Sequence, residues 1–222
     1  MKRIITLLLA IGILASAQTV VAQLTDEMRQ AGWVSIFNGE NLDGWKHNEP
    51  YEGFRVFDRS ILSFGPRNHL YFMGNDELPG RLNNFELKLD VMANNDGNSG
   101  VFVLSQWQEE TWPTTGFEVQ VNNSHGDPRK TGSLWSFVDI LEAPHGDDEW
   151  FNMHIIVRGR ELEVRINGES LYRFVCQQRG PVPDVITDQN RRISQTGYIA
   201  LQAHHPGSYV RYKNIFVRRL PD

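Results

Sequence analysis

A carboxylate and a carboxamide two residues apart on one side of a strand are the chain's clearest candidates for chemistry. In the stretch 116–135, GFEVQVNNSHGDPRKTGSLW, Phe117, Val119 and Val121 point one way while Glu118 and Gln120 point the other. The strand runs into a polar loop holding Asn122, Asn123, Ser124, His125, Asp127, Arg129 and Lys130. An acid beside an amide, next to a loop rich in donors and acceptors, suits a polyhydroxylated ligand. Two other segments carry the same chemistry. Asn98-Ser99-Gly100 leads into Val101-Phe102-Val103, and Gln202 and His204 share a side with Tyr198, opposite Ile199, Leu201 and Ala203. If these segments neighbour one another in a sheet, Asn98, Glu118, Gln120, Gln202 and His204 line a single polar face. Trp107, Trp112 and Trp135 fall on flanking loops, where their rings could stack on a ligand ring.

Other chemistries are less well supplied. His125, His145, His204 and His205, with Asp127, Asp147 and Asp148, raise the question of a metal, yet no spacing matches a zinc signature. His204 and His205 are adjacent, and on a strand they are expected to point to opposite faces. Asp139, Glu142, Asp147 and Asp148 could offer oxygen ligands to a divalent cation such as calcium, although solvated acidic loops have the same composition. The chain has no Gly-rich phosphate loop, no Gly-x-Ser-x-Gly elbow and no recognisable Cys–His pairing. Its single Cys176 excludes an internal disulfide and a cysteine-built zinc site. That thiol is expected to be buried and inert, with a nucleophilic role as the sharper alternative.

The elements that must position these groups read as strands. Phe85, Leu87, Leu89 and Val91 alternate with Glu86, Lys88 and Asp90, the clearest period of two in the chain. Further strands are expected at 33–37, 53–58, 60–65, 69–73, 101–105, 117–122, 151–158, 161–166, 171–175, 198–203 and 209–219. The segment 41–45 reads as a loop and 94–99 as a turn. Asn167-Gly168 is a two-residue hairpin signal, because both positions of that turn need positive φ. Residues 24–31 read as one short helical turn, and 177–195, polar and Pro-containing, as a long surface loop. Short antiparallel strands with one buried and one wet face imply an all-β fold, an antiparallel sandwich of two sheets or jelly roll, forming a single domain over 23–222.

Residues 1–22 read as a signal peptide. Lys2 and Arg3 precede the apolar run 4–14, and a small-residue cleavage site follows at Val20-Val21-Ala22, before Gln23. Ala15-Ser16-Ala17 is the second choice. The apolar run is short of the roughly 20 residues of a membrane span, and no cysteine lies near it for lipid attachment. The expected location is periplasmic or secreted. Loss of the leader removes two cations and no acids, taking the formal charge from −5 to about −7. Nucleic acid, which needs clustered Lys and Arg, is an unsuitable partner for such a chain.

The order of motifs resembles the 3-keto-disaccharide hydrolase domain family. The resemblance rests on WVSIFNG from Trp33 with LDGW from Leu42, NFEL from Asn84, NSGV from Asn98, GFEVQ from Gly116 and KTGSLW from Lys130. Glu149-Trp150 with Ile155-Ile156-Val157, Ile166-Asn167-Gly168, LQAH from Leu201 and Lys213-Asn214-Ile215 complete it. It spans about Gly32 to Leu220. The chain departs from the family where Leu104 and Ser105 stand near a frequent Arg, and where Trp135 stands for a frequent Tyr. The resemblance implies a concanavalin-like, laminin-G-like jelly roll and a carbohydrate ligand. It further implies cleavage of glycosides whose sugar has been oxidised to a ketone at carbon three. There a base removes the proton at carbon two, the enolate expels the group at carbon one, and water adds afterwards. Glu118 or His204 would be the base. Asn98, Gln120 and Gln202 would hold hydroxyls or the enolate oxygen, Lys130 or a bound divalent cation would stabilise charge, and Trp135 would contact substrate. Two rivals use the same fold type: a non-catalytic carbohydrate-binding module, and an adhesion module working through loops and calcium.

Overall fold

The computed structural model describes residues 24–176 and 196–222. The leader, its cleavage sites and the expected loop at 177–195 lie outside the described residues. One short helix, α1 (Asp26–Gln30), is capped by Thr25, whose hydroxyl accepts from Met28 N–H. Among the described residues thirteen strands follow, ordered antiparallel into two sheets.

The larger sheet has eight strands. Its order is β11 (Glu169–Val175), β10 (Glu161–Ile166), β9 (Phe151–Arg158), β6 (Phe85–Ala93), β13 (Val210–Arg219), β4 (Ser60–Ser63) and β3 (Phe54–Phe57), with β1 (Trp33–Ser35) also paired to β13. The smaller sheet has five, in the order β2 (Trp45–His47), β5 (Asn68–Phe72), β12 (Tyr198–Ala203), β7 (Asn98–Ser105) and β8 (Phe117–Asn122). One hydrophobic core fills the space between them. Phe85, Leu87, Leu89 and Val91 of β6 meet Val101 and Val103 of β7, Val119 and Val121 of β8, and Ile199 and Leu201 of β12 there. Each such side chain contributes about 1.5–3 kcal/mol on burial, so the alternation of β6 and β8 fixes which face each sheet turns inward. Ser99 and Tyr212 add a polar tie across the core, their hydroxyls 2.5 Å apart, and the Ser99 hydroxyl also donates to Gln202 O.

Most expected strands form within a residue or two of their positions. Asn167 and Gly168 both take positive φ, +51° and +87°, as the hairpin between β10 and β11 requires. Two expectations change. The turn expected over 94–99 ends sooner: Asn98, Ser99 and Gly100 are already paired in β7, opposite Asn122, Val121 and Gln120. The loop expected to deliver Trp45 ends in β2, which pairs with β5. Cys176 is buried at the margin of the core, as expected of an inert thiol.

The outward face of the small sheet is not the wet face that simple alternation implies. Every residue of β7 and β8 is buried. Loops stand over that face, and they enclose the polar residues picked out above.

Candidate active site

Register explains the convergence. On β7 and β8, Gly100 lies opposite Gln120, and Phe102 opposite Glu118. On β12, Ala200 lies opposite Phe102 of β7, and Gln202 opposite His69 of β5. Asn98, Gly100, Phe102, Glu118, Gln120, Ala200, Gln202, His69 and Tyr71 therefore share the face turned from the core. Its two ends differ. Tyr71, Phe102 and Ala200, with Trp107 and Tyr198 packed on them, form an apolar cluster. The other end holds the acid and the amides around a hollow of about 370 Å³.

Six of the seven residues picked from the sequence line that hollow: Asn98, Glu118, Gln120, Trp135, Gln202 and His204. Phe102, Trp112, Pro113 and Asp127 complete it. Lys130 is the exception. Its ammonium donates to the backbone carbonyls of His125 (2.7 Å) and Asp127 (3.1 Å), so it staples the loop rather than facing the hollow. Trp107 is also outside the lining; it packs edge-on against Tyr71, with Lys46 over its ring.

The polar groups are held in a directed network. Gln202 Nε2 donates to Glu118 Oε1 at 2.7 Å, and Gln120 Nε2 donates to Asn98 Oδ1 at 2.8 Å. Glu118 is only 8% exposed and Gln202 1%. Gly100 makes room for this arrangement, since a Cβ there would lie 2.8 Å from Glu118 Cγ and closer still to Oε1. Gln202 Oε1 is buried with no partner among the described residues, as are both ring nitrogens of His69. Burial pushes His69 down to about 3, helped by Arg67 and His204. It is a neutral ring, edge-on to Phe102 (5.3 Å) and Trp112 (5.4 Å).

The walls come from loops with their own internal logic. The Gln108 side chain donates to Thr111 Oγ1 and to the carbonyls of Glu110 and Trp112, fixing the turn that presents Trp112. Asn122 donates to the carbonyls of Asp127 and Arg129 and pins the polar loop to the end of β8. The segment 131–135 continues the sheet beyond β8, with Gly132 N–H donating to Gln120 O and Trp135 N–H to Glu118 O. That pairing sets Trp135 directly beside Glu118.

His204 and His205 do not diverge as expected on a strand. β12 ends at Ala203, so the alternation lapses and their Nδ1 atoms approach to 2.9 Å. Burial, then the neighbouring imidazoles of His205 and His125, hold His204 down at about 4. At neutral pH it is an uncharged ring inside the hollow, tilted against Trp112 at 5.3 Å. Among the described residues, no three His, Cys, Asp or Glu side chains are grouped so as to hold a metal ion. The acidic set offered for calcium is otherwise engaged in part: Asp139 pairs with Arg129, and Asp147 accepts from Asn95.

His69 and Pro113 escape sequence reasoning, and Asp127 enters it only through the polar loop and the metal set, not as a site residue. His69 sits in a segment rightly read as a strand, but only its pairing with β12 puts it beside Gln202. Asp127 and Pro113 are loop residues whose position depends on the Asn122 and Gln108 hydrogen bonds.

An antiparallel jelly-roll sandwich with an acid, carboxamides and an imidazole in an aromatic-walled hollow on one sheet is the class defined by this geometry. The chain belongs to the 3-keto-alpha-glucoside-1,2-lyase-like domain family, which it matches over residues 32–218. No curated protein matches it. A solved Parabacteroides distasonis protein described as a candidate glycosyl hydrolase is similar, with 24% identity and a TM-score of 0.73, covering 89% of this chain and 98% of that one. A second such protein from that organism has 21% identity and a TM-score of 0.63, covering 85% and 99%. A carbohydrate-binding module of Bacillus subtilis has 8% identity and a TM-score of 0.54, covering 79% and 95%. At these identities the likenesses establish the jelly-roll fold.

Proposed function

We propose that this protein cleaves glycosides whose sugar carries a ketone at carbon three, acting in the periplasm or outside the cell. The observation that carries the reading is Glu118: a buried carboxylate gripped at one oxygen by Gln202, beside a neutral imidazole, in a hollow with aromatic walls. Family membership supports the substrate class.

The ketone makes the proton at carbon two acidic. Glu118 takes that proton, and the electron pair forms a double bond to carbon three while charge moves to the ketone oxygen. The charge returns, the bond from carbon one to the glycosidic oxygen breaks, and the departing oxygen takes a proton from the carboxyl group or from water. Water then adds across the new double bond, its oxygen to carbon one and a proton to carbon two, for a net hydrolysis. Gln120 and Asn98 hold hydroxyls, and Trp112 and Trp135 flank the ring. Neutral His204 offers a hydrogen bond without adding charge, as an uncharged imidazole does best when it polarises an oxygen. No step here needs Lys130 or a cation.

Incubation with 3-keto-trehalose, with and without chelator, tests the reading by release of monosaccharide. Glu118→Gln is expected to lower turnover by about 10²- to 10⁴-fold with melting unchanged; full activity in that variant removes Glu118 from the role. A protein that binds the sugar through the tryptophan walls and never cleaves it would instead be the carbohydrate-binding module of the rival reading.

A further inference from the structure

His125 stands against Asn98 and Asp127, two residues that line the hollow, and one backbone amide determines what its ring can do. The N–H of Asp127 donates to His125 Nδ1 at 3.1 Å. A backbone amide only donates, so Nδ1 must carry the lone pair and the ring proton must sit on Nε2. The constraint propagates. Asn98, 3.0 Å from the same Nδ1, must present its NH₂ there, which turns its oxygen to Gln120 and so requires the Gln120 NH₂ to face it. Three side-chain orientations follow from one amide and agree with one another.

His125 Nε2 has no partner among the described residues and is not buried, and the residues flanking the ring, Asn98 and Asp127, both line the hollow. The contrast with its neighbours is sharp. His204 and His205 meet Nδ1 to Nδ1, so the shared proton can belong to either, and either ring can expose a bare Nε2. His125 has no such freedom: its one lone pair is consumed, and its free nitrogen is a donor. The ring centroids of His125 and His204 are 5.9 Å apart, close enough to address one substrate.

We propose that His125 is a further catalytic residue, a fixed Nε2–H donor to the carbon-three oxygen as it gains charge. The proposal rests on the 3-keto-glycoside reading. As Glu118 takes the proton from carbon two, the electron pair moves toward that oxygen and His125 stabilises it without surrendering its own proton. Such donors matter because they are aimed before the charge appears, and the loss of one costs about 10²- to 10³-fold in kcat.

Two measurements test this. In the full chain labelled with ¹⁵N-histidine, long-range ¹H–¹⁵N correlations are expected to show His125 with its proton on Nε2; a proton on Nδ1, or an averaged ring, overturns the proposal. His125→Asn keeps an oxygen able to accept Asp127 N–H across the same two-residue span, as Asx turns do, while withdrawing the longer donor. That variant is expected to melt like the wild type and lose about 10²- to 10³-fold in kcat on a 3-keto-disaccharide, with KM within a few-fold. A wild type that turns the sugar over beside an equally active His125→Asn overturns the role alone. A wild type that leaves every 3-keto-glycoside intact removes the proposed function, and the role with it. If His125→Asn fails to fold, the tautomer in the wild type decides.

Discussion

Each sheet carries a groove on its outward face, and the two grooves solve opposite problems. The one on the large sheet, about 470 Å³, is lined by charge, including Glu86, His154, Glu163, Arg165, Arg173 and Arg218. Most of its charges close on each other, with Arg218 Nε the one buried lining atom left without a partner among the described residues. Glu86 takes Arg218 at 2.7 Å and His154 at 2.9 Å, while Glu163 takes Arg165 at 2.7 Å and Arg173 at 3.3 Å. Trp33 lies under Lys88 and Arg218 as an aromatic platform already occupied by cations. The outward face of the small sheet has fewer charges and more unspent hydrogen-bonding capacity among the described residues: buried Gln202 Oε1 in the hollow and both buried ring nitrogens of neighbouring His69, with the unburied Nε2 of His125 beside them. Volume alone would favour the wrong groove. A polar surface whose groups satisfy each other is a solvated sheet, and one that keeps buried groups waiting is arranged for a ligand, since unmade buried hydrogen bonds are costly to maintain.

The largest expected difference between the faces comes from one matched pair of substitutions. Glu118→Gln and Glu163→Gln each remove one carboxylate from a strand of similar burial. The first is expected to lose about 10²- to 10⁴-fold in turnover of a 3-keto-disaccharide. The second is expected to keep full turnover and to lose stability only, through its bonds to Arg165 and Arg173. Steady-state kinetics and urea unfolding on both variants decide. Equal kinetic losses would mean that the two grooves do not differ in the way argued.

A positional test is next in size. A methyl at Gly100 would press on Glu118 Cγ and Oε1, and the flexible carboxylate would swing aside while β7 stays paired. A catalytic group displaced by about an ångström loses roughly 10²-fold, so Gly100→Ala is expected to lower kcat on that scale with the melting temperature held. Unaltered kcat would show that the site tolerates a mobile acid.

What the sequence revealed, and what it hid, divides along the same line. Strand alternation at 85–91 and 117–121 exposes the buried faces, because period two is a local property of the chain. The same alternation groups Glu118 with Gln120 and Gln202 with His204, and the repeated acid, amide and imidazole chemistry links segments far apart in sequence. Lys130 misled because a cation in a donor-rich loop reads as a ligand group, while its use depends on where two carbonyls of its own loop fall. His204 and His205 misled because both lie just past the end of β12, where strand alternation no longer sets the direction of a side chain. His69 was silent because its neighbours are chosen by strand pairing, which no local period encodes. The charge ladder of the large sheet is equally invisible, since Glu163 meets Arg173 only through the register of β10 and β11.

Trp112 offers a smaller handle on the hollow. Its ring stands between His69 and His204, with Arg67 at 5.9 Å. Ring stacking is worth about 0.5–1.5 kcal/mol, so Trp112→Ala is expected to raise KM by up to roughly tenfold while changing kcat less. Trp33→Ala, on the other face, should leave KM unchanged. Matching shifts in the two variants would point to a general loosening of the sandwich.

The smallest expected signal is the slope of stability with pH, and the two faces should lose stability over different acid ranges. His69, at about 3, and His204, at about 4, resist protonation in the folded protein, whereas in the unfolded chain each takes a proton near 6.5. Below 6.5 the unfolded state therefore binds more protons, and stability falls as pH drops toward 4 and then 3. Glu163 behaves differently. Its bond to Arg165 holds it at about 2, against 4.5 unfolded. Its contribution is complete above 4.5 and fades as pH falls toward 2. His154, lowered chiefly by burial, adds a share from the outer face to the upper range, so variants must separate the two. His69→Phe is expected to shrink the loss of urea-derived stability between pH 6.5 and 3, the remainder there belonging to His204 and the other lowered histidines, while the loss below 4.5 stays with Glu163 and Glu86. Glu163→Gln should do the reverse. A His69→Phe protein with the wild-type slope would mean that this ring is not held neutral by its burial beneath Trp112, and the contrast between a waiting face and a closed one would lose its electrostatic support.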